Sequence, residues 1–572
     1  MERVLGFNRF SDFCYSVFRL FNNFNANIPK NLGLFFSISL WCLQTNAQTT
    51  PIQIVVAQQI YTADTSHWTV EAMVVEKGQI TYVGPRDSAR LKFPQAPIID
   101  YGKAVIYPGF IDAHCHFLGY AQGLNEAQLY ACESIASVLK TLKKQAKKQN
   151  KLEQPLRADD WIIGRGWDQN LWGGQFPTRY HLDAQFPQTP ICLSRVDGHA
   201  VWLNSAAERL LNLDTSLQLE GGEAFSGVYL DAWADWIKER IPPMNEQALT
   251  ESVEQAEQLA LASGLTSLHE AGLSVEQAQW LQSLQNQQRL HLRFNVMLSA
   301  SESTFAYLAQ HGQWHSDRMQ VHAVKFYMDG ALGSRGALLK EDYCDRLHHR
   351  GLQLMSPQEL GGYAYFLRDK GIQVCVHAIG DSANALVLSL FNQILQPGHD
   401  ARWRVEHAQI VEPNDWHYFS DRSIIPSVQP THATSDAPWA ESRLCEQRMP
   451  GAYAYQSLLD TAGILALGTD FPVESLDPIN TFYSAVFRSD RSGNLSQPFG
   501  LSQALSRKDA FLGMTHWAAY AGFEEQQIGQ LREGLQADFV VLNGDLLNDE
   551  SKKIRKTKVQ ATAIAGEIVY ER

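Results

Sequence analysis

Between residues 52 and 107 apolar and polar positions alternate with a period of two, in "IQIVVAQQIYTA", "TVEAMVVEKGQITYVG" and "PIIDYGKAVI". That period places every second side chain on one buried face, the mark of half-covered strands. The glycines of "EKGQ" and "DYGK" fall where hairpin turns need a residue that tolerates positive φ. The end of the chain reads the same way in "ADFVVLNGD" and "VQATAIAGEIVYER", with "AGE" as the turn. Neither end is long enough to enclose a good core alone. Residues 52–107 and 516–572 are therefore expected to pair into one small β domain.

The long centre has a different pattern. Short apolar runs alternate with helix-like stretches, as in α/β proteins with a parallel sheet. Eight runs read as strands: "VIYPGFIDAHCH", "LTSLHEAG", "LRFNVMLS", "AVKFYMDG", "QVCVHAIGD", "RWRVEHAQ", "SIIPSVQP" and "GILALGTD". Most finish in a polar or ionisable residue. Eight such units predict a (β/α)8 barrel over residues 108–515, with functional groups at the C-terminal strand ends. His377 and His407 lie about 30 residues apart, one strand plus one helix, and Asp470 about twice as far on. The interval from Lys325 to His377 is longer, so "GALGSRGALLKEDYCDRLHHRG" is expected to form an extended loop over the barrel mouth. The gap between the first and second strands is far too long for one helix, which makes residues 117–250 an insertion, rich in Trp and Gly. A chain of 572 residues has room for such additions beside a barrel core.

Charge and targeting narrow the partners. The net charge is −13, and the only basic run is "TLKKQAKKQNK", which reads as a solvated helix face. No nucleic-acid surface is expected. The run "NLGLFFSISLWCL", residues 31–43, follows Lys30 and precedes Ala47, a small residue suited to a cleavage site. It is too short to span a bilayer and suits the apolar core of a signal peptide. Residues 1–47 are expected to be a leader, and the mature chain to be exported, periplasmic or extracellular, without a stable transmembrane span; a cytoplasmic chain is the alternative. The 8 cysteines form no CxxC pair, which argues against a cysteine-based zinc site.

His114 and His116 end the first strand run. Residues i and i+2 of a strand face one side, so the two imidazoles can offer nitrogen ligands to one metal ion; with carboxylates, such a set suits zinc. An isolated pair is as compatible with core or surface histidines. His377, His407 and Asp470 each end another apolar run, where a buried ionisable group is costly unless paired or metal-bound. Lys325 sits in phase with Val321, Ala323 and Tyr327, surroundings that depress an amine pKa. Their convergence at one barrel mouth predicts a metal centre.

The motifs "PGFIDAHCHF", "KFYMDGALGSRGALL", "VHAIGD", "RVEHAQ" and "GTDFPVES", in that order, resemble those of the amidohydrolase superfamily. Within it the resemblance is to amidohydrolase family 3, the branch of the YtcJ-like proteins and N-substituted formamide deformylases, and it extends over residues 52–572. It implies a metal-dependent hydrolase (β/α)8 TIM barrel with a small β-sandwich domain built from both chain ends. It also implies divalent metal ions, two of them, zinc first among the candidates. His114, His116 and Asp470 would bind one ion and His377 and His407 the other, bridged by an N6-carboxylated Lys325; an unmodified lysine beside a single ion stays open. The implied reaction is hydrolysis of a non-peptide C–N bond, in an amide or an N-formyl or N-acyl amine, by a metal-bound hydroxide, with Asp470 as the catalytic general base and then acid. Two other readings remain: a mononuclear heterocycle deaminase, whose relatives lack the strand-four lysine, and a non-catalytic exported metal-binding or regulatory protein.

Substrate groups are less sharply marked. Asp329 follows Lys325 on the same alternating face, and Arg335 in the glycine-rich loop is a candidate for a carboxylate or carbonyl oxygen, or for a loop salt bridge. His269 ends the second strand run, facing the site or supporting it. Trp167 and Asp168 in "GRGWDQNLWGG" and His199 and Trp202 in "SRVDGHAVWLNS" either line a pocket or belong to the insertion's own core. Gln429 and His432 are candidates for the pocket rim near the seventh strand. The expected partner is a small-molecule amide; the oligomeric state, a homodimer included, stays open.

Overall fold

The computed structural model describes residues 52–130, 132–148, 161–196, 200–213, 222–395, 398–420 and 423–572. The expected leader, residues 1–47, and His199 lie outside the described residues.

Eight strands run in parallel through the centre: β1 (Phe110–Cys115), β2 (Leu265–Leu273), β3 (Arg293–Ser299), β4 (Met319–Tyr327), β5 (Gln373–Ala378), β6 (Trp403–His407), β7 (Ile424–Val428) and β8 (Ala466–Leu467). Each pairs with its sequence neighbour from β1 through to β8. The seam between β1 and β8 is bridged by backbone bonds just beyond the short last strand. Asp470 N–H donates to His114 O at 2.7 Å, and His116 N–H to Phe471 O at 2.8 Å. This gives the nearly closed barrel of a TIM-like fold. Inside it, Ala271, Met297, Ala323 and Cys375, from four consecutive strands, form a buried layer. Outside, capped helices cover the sheet. Asn245, Ser274, Ser301 and Ser356 accept the first free amides of four of them, meeting donors that a helix start leaves without a partner.

The first predicted run is two strands. Val105–Pro108 belongs to a sheet made from the chain ends, and Phe110–Cys115 to the barrel. Gly109 separates them, and a Cβ there would lie 2.2 Å from Thr266 Oγ1, so only glycine allows β1 and β2 to approach. The terminal sheet has eight strands, five near the start of the described chain and three between Phe539 and Glu571. It curls back on itself: Ile80 N–H donates to Leu535 O and Ala537 N–H to Gly78 O. Val55, Met73, Val75, Phe539 and Val541 fill the space within. Its turns use adjacent positive φ values at Lys77–Gly78 and Ala565–Gly566, the geometry that suits two-residue hairpins.

The insertion builds a sheet of its own, six strands between Ala127–Gln128 and Val228–Asp231. After β4, residues 330–353 form a long loop. The Cys344–Cys445 disulfide ties it to the helical segment Ala440–Arg448. Among the described residues, no helix is long and apolar enough to cross a membrane.

Candidate active site at the barrel mouth

Asp470 stands at the middle of the C-terminal mouth. Its Oδ1 lies 3.2 Å from His116 Nε2 and 3.6 Å from His114 Nε2, and its Oδ2 lies 3.7 Å from His432 Nε2. The loop that carries it is pinned from below. The Asp112 carboxylate accepts the Thr469 amide (3.0 Å), the Thr469 hydroxyl (2.6 Å) and the His114 amide (3.1 Å). Asp470 itself has φ 60° and His407 φ 74°. Such values cost a side-chain-bearing residue free energy, and they cluster at functional positions.

The imidazoles are oriented from behind. His114 Nδ1–H donates to Glu406 Oε2 at 2.5 Å, which leaves Nε2 facing the centre. His407 Nδ1–H donates to Gln429 Oε1 at 2.7 Å with the same result. Glu406 is held by Arg404 (2.7 Å), which also donates to His269 Nδ1 (2.9 Å); His269 Nε2–H faces Glu524 at 3.2 Å. This buried chain runs beneath the mouth and fixes two tautomers, the usual service of a carboxylate behind a metal-binding histidine.

Burial favours the uncharged imidazoles that metal binding requires. It lowers His114 to about 4 and His377 to about 3, with Lys325 adding to both, and holds His407 well below the ordinary histidine range. Burial also lowers the Lys325 amine, against the pull of Glu406 and Asp470. The same burial works against charge on Asp470 and Glu406, but their neighbours prevail. His116, beside its Oδ1, holds Asp470 below the usual carboxylate range, and Arg404 with the Nδ1–H of His114 does the same for Glu406.

Lys325 Nζ lies under the centre, 3.5 Å from His114 Nε2 and 4.6 Å from the middle of the Tyr327 ring. The His377 ring stands 4.4 Å from that of His407, and its Nε2 3.6 Å from Asp329 Oδ1. Two triads bring their ligand atoms within 4.8 Å of one another: His114, His116 and Asp470, and His407, His432 and Asp470. Asp470 Oδ1, His377 Nε2 and His432 Nε2 are buried and have no hydrogen-bond partner on the protein. Orphaned buried nitrogen and oxygen atoms are costly in a folded interior. Nitrogen and carboxylate donors gathered in this way fit a divalent cation.

The remaining candidates are placed as follows. The Asp329 carboxylate clamps the loop after β4, accepting the amides of Leu338 (2.8 Å), Ile379 (3.0 Å) and Gly380 (2.8 Å); burial raises it to about 7. Arg335 pairs with Asp345 at 2.7 Å, which Arg443 also reaches. Trp167 and Trp202 are fully buried in the insertion's core, and Asp168 accepts the Asn170 amide and an Arg195 N–H. Glu406 and Arg404 received no role from the sequence. Their signal lies in "WRVEH", where two charged residues alternate along a wholly buried strand.

A model of the amidohydrolase family matches residues 98–570. YtcJ of Bacillus subtilis (strain 168) is 29% identical over 531 residues, covering 88% of this chain and 96% of that one. The N-substituted formamide deformylase of Arthrobacter pascens is 24% identical over 562 residues, covering 91% and 98%. A crystal structure of an uncharacterized metal-dependent hydrolase from Pyrococcus horikoshii OT3 superposes with a TM-score of 0.75 at 25% identity, over 88% of this chain and 99% of that one. The match runs from the terminal sheet through every strand of the barrel, and on that extent the chain belongs to the amidohydrolase family.

Proposed function

We propose that the protein hydrolyses the C–N bond of a small amide or N-formyl or N-acyl amine. The observation that carries this reading is the set of orphaned donors around Asp470, above a buried lysine. His114, His116 and Asp470 would hold one cation. His407, with His377 and a carboxylated Lys325, would hold the other. Bound divalent cations supply a polarised carbonyl and a water acidified toward a pKa of ~7. Asp470 accepts the proton of the attacking water and returns it to the departing nitrogen, so that an acid and an amine are released. Gln429 and Glu406 keep the Nε2 atoms of His407 and His114 turned toward the cation positions around Asp470. Burial lowers the Lys325 amine, toward the uncharged form that captures CO2. The half-exposed Tyr327 ring beside it offers an apolar wall to a substituent on the amine.

Lys325 favours this reading over a single-cation deaminase. The relationship to an N-substituted formamide deformylase supports formamides as the first substrates to try. The test is release of formate or carboxylate and amine from N-alkylformamides and N-acyl amines by the Zn2+-loaded protein. Turnover of at least one class is expected. Bound metal without turnover of either class overturns the proposal. We also propose that the mature protein works in an oxidising compartment, since the Cys344–Cys445 bridge favours such surroundings. Reduced thiols in protein recovered from the cell would count against it.

A further inference from the structure

The reading above gives no role to His432. We infer that His432 is itself a further ligand of the second cation position, beside His407 and facing the Asp470 carboxylate. This rests on the metal-dependent reading of the same centre and adds a residue to it.

Three observations carry the inference. First, His432 Nε2 is buried and has no hydrogen-bond partner. Its nearest acidic oxygen, Asp470 Oδ2, is 3.7 Å away. That is too far for a hydrogen bond. It is close to the separation of two ligands around one ion, roughly 3.3 Å for a tetrahedral zinc with bonds of ~2.0–2.1 Å. Second, the His432 ring lies nearly parallel to that of His407, at 20° with centres 5.9 Å apart, so the two present themselves to Asp470 together. Third, one short turn sets both rings. β7 ends at Val428; Gln429 then takes the His407 Nδ1–H, and its backbone is held by the Tyr455 hydroxyl at 3.0 Å. Pro430 opens helix α1 (Pro430–Asp436), and the His432 amide donates to Gln429 O at 3.0 Å. A residue that orients one imidazole thus sits three positions before another aimed at the same carboxylate. His269, which lies beneath the mouth, differs: both of its ring nitrogens have partners, in Arg404 and Glu524.

The test counts metal. The full chain and its His432→Ala and His432→Asp variants are stripped with a chelator and returned to Zn2+. Ions per chain are measured by mass spectrometry, and Co2+ loading is followed by its visible spectrum. The wild type is expected to hold two ions. His432→Ala should keep the first and bind the second about tenfold more weakly or worse. His432→Asp, which puts back a carboxylate donor, should recover the second ion. Thermal unfolding of the metal-free chains checks their folds; if His432→Ala does not fold, His432→Gln is read in the same way. Two ions held with unchanged affinity by the variant overturn the inference and leave metal dependence standing. A wild type with a single ion that the variant retains also overturns it. A wild type that binds no metal removes the hydrolase reading and the inference together.

Discussion

The barrel mouth and the insertion both gather aromatic and ionisable side chains, yet they leave them in opposite states. In the insertion, the polar atoms described for the candidate residues are occupied. Trp167 Nε1–H donates to Leu193 O at 2.7 Å, Trp202 Nε1–H to Thr178 O at 3.1 Å, and Asp168 is taken by Asn170 and Arg195. At the mouth, Asp470 Oδ1, His377 Nε2 and His432 Nε2 are buried with no protein partner. Aromatic richness alone therefore says little about where chemistry occurs. Unmet hydrogen-bonding capacity gathered around one buried carboxylate says more, because each such atom is costly in a folded interior.

The strongest test of this contrast is Asp470→Asn. It keeps the shape and removes the charge shared by both triads. Turnover should fall by roughly 10³-fold or more, since both a ligand and a proton carrier are lost, while the circular dichroism spectrum stays unchanged. A variant with wild-type kcat would break the comparison. Chelation comes next. A ligand present at about a thousand times its Kd stabilises the folded state by about 4 kcal/mol. Calorimetry should show that stabilisation disappear with a chelator in the wild type, and show little change in Asp470→Asn. Smaller is the effect of Glu406→Gln, which keeps the side chain's size but weakens its hold on His114. Metal affinity should drop by about 10–100-fold, as read by competition with a chromophoric chelator. The least effect falls on the insertion. Trp167→Phe removes one satisfied hydrogen bond and should cost about 1 kcal/mol of stability, with metal content unaltered. Loss of metal in that variant would mean that the two regions are not separate in function.

The barrel is legible in the sequence because its strands are short apolar runs that stop at a polar residue. The one misjudged run, "VIYPGFIDAHCH", joins two strands that serve different sheets. Nothing in its apolar character marks Gly109 as the break; the reason is the approach of Thr266 from β2. The mouth residues are legible for the same cause as the strands: they end them. Arg404 and Glu406 lie within a strand, one residue apart, and their partnership with His114 and His269 depends on a cross-barrel distance that no local pattern carries. The Cys344–Cys445 bridge joins residues 101 positions apart and is equally invisible to spacing. In the insertion the strands are four to six residues long or shorter and partly antiparallel, so composition stood out where pairing did not.

The seam between β1 and β8 has a consequence for how the protein matures. Asp112 grips Thr469 across 357 positions of sequence, and the neighbouring backbone bonds join His114 to Asp470. The paired imidazoles leave the ribosome early, but the carboxylate they face emerges only near the end of synthesis. A nascent chain shorter than this carries the histidines but neither the Asp470 carboxylate nor a closed ring to hold them. The triad of His114, His116 and Asp470 is accordingly complete only once the barrel seam has closed.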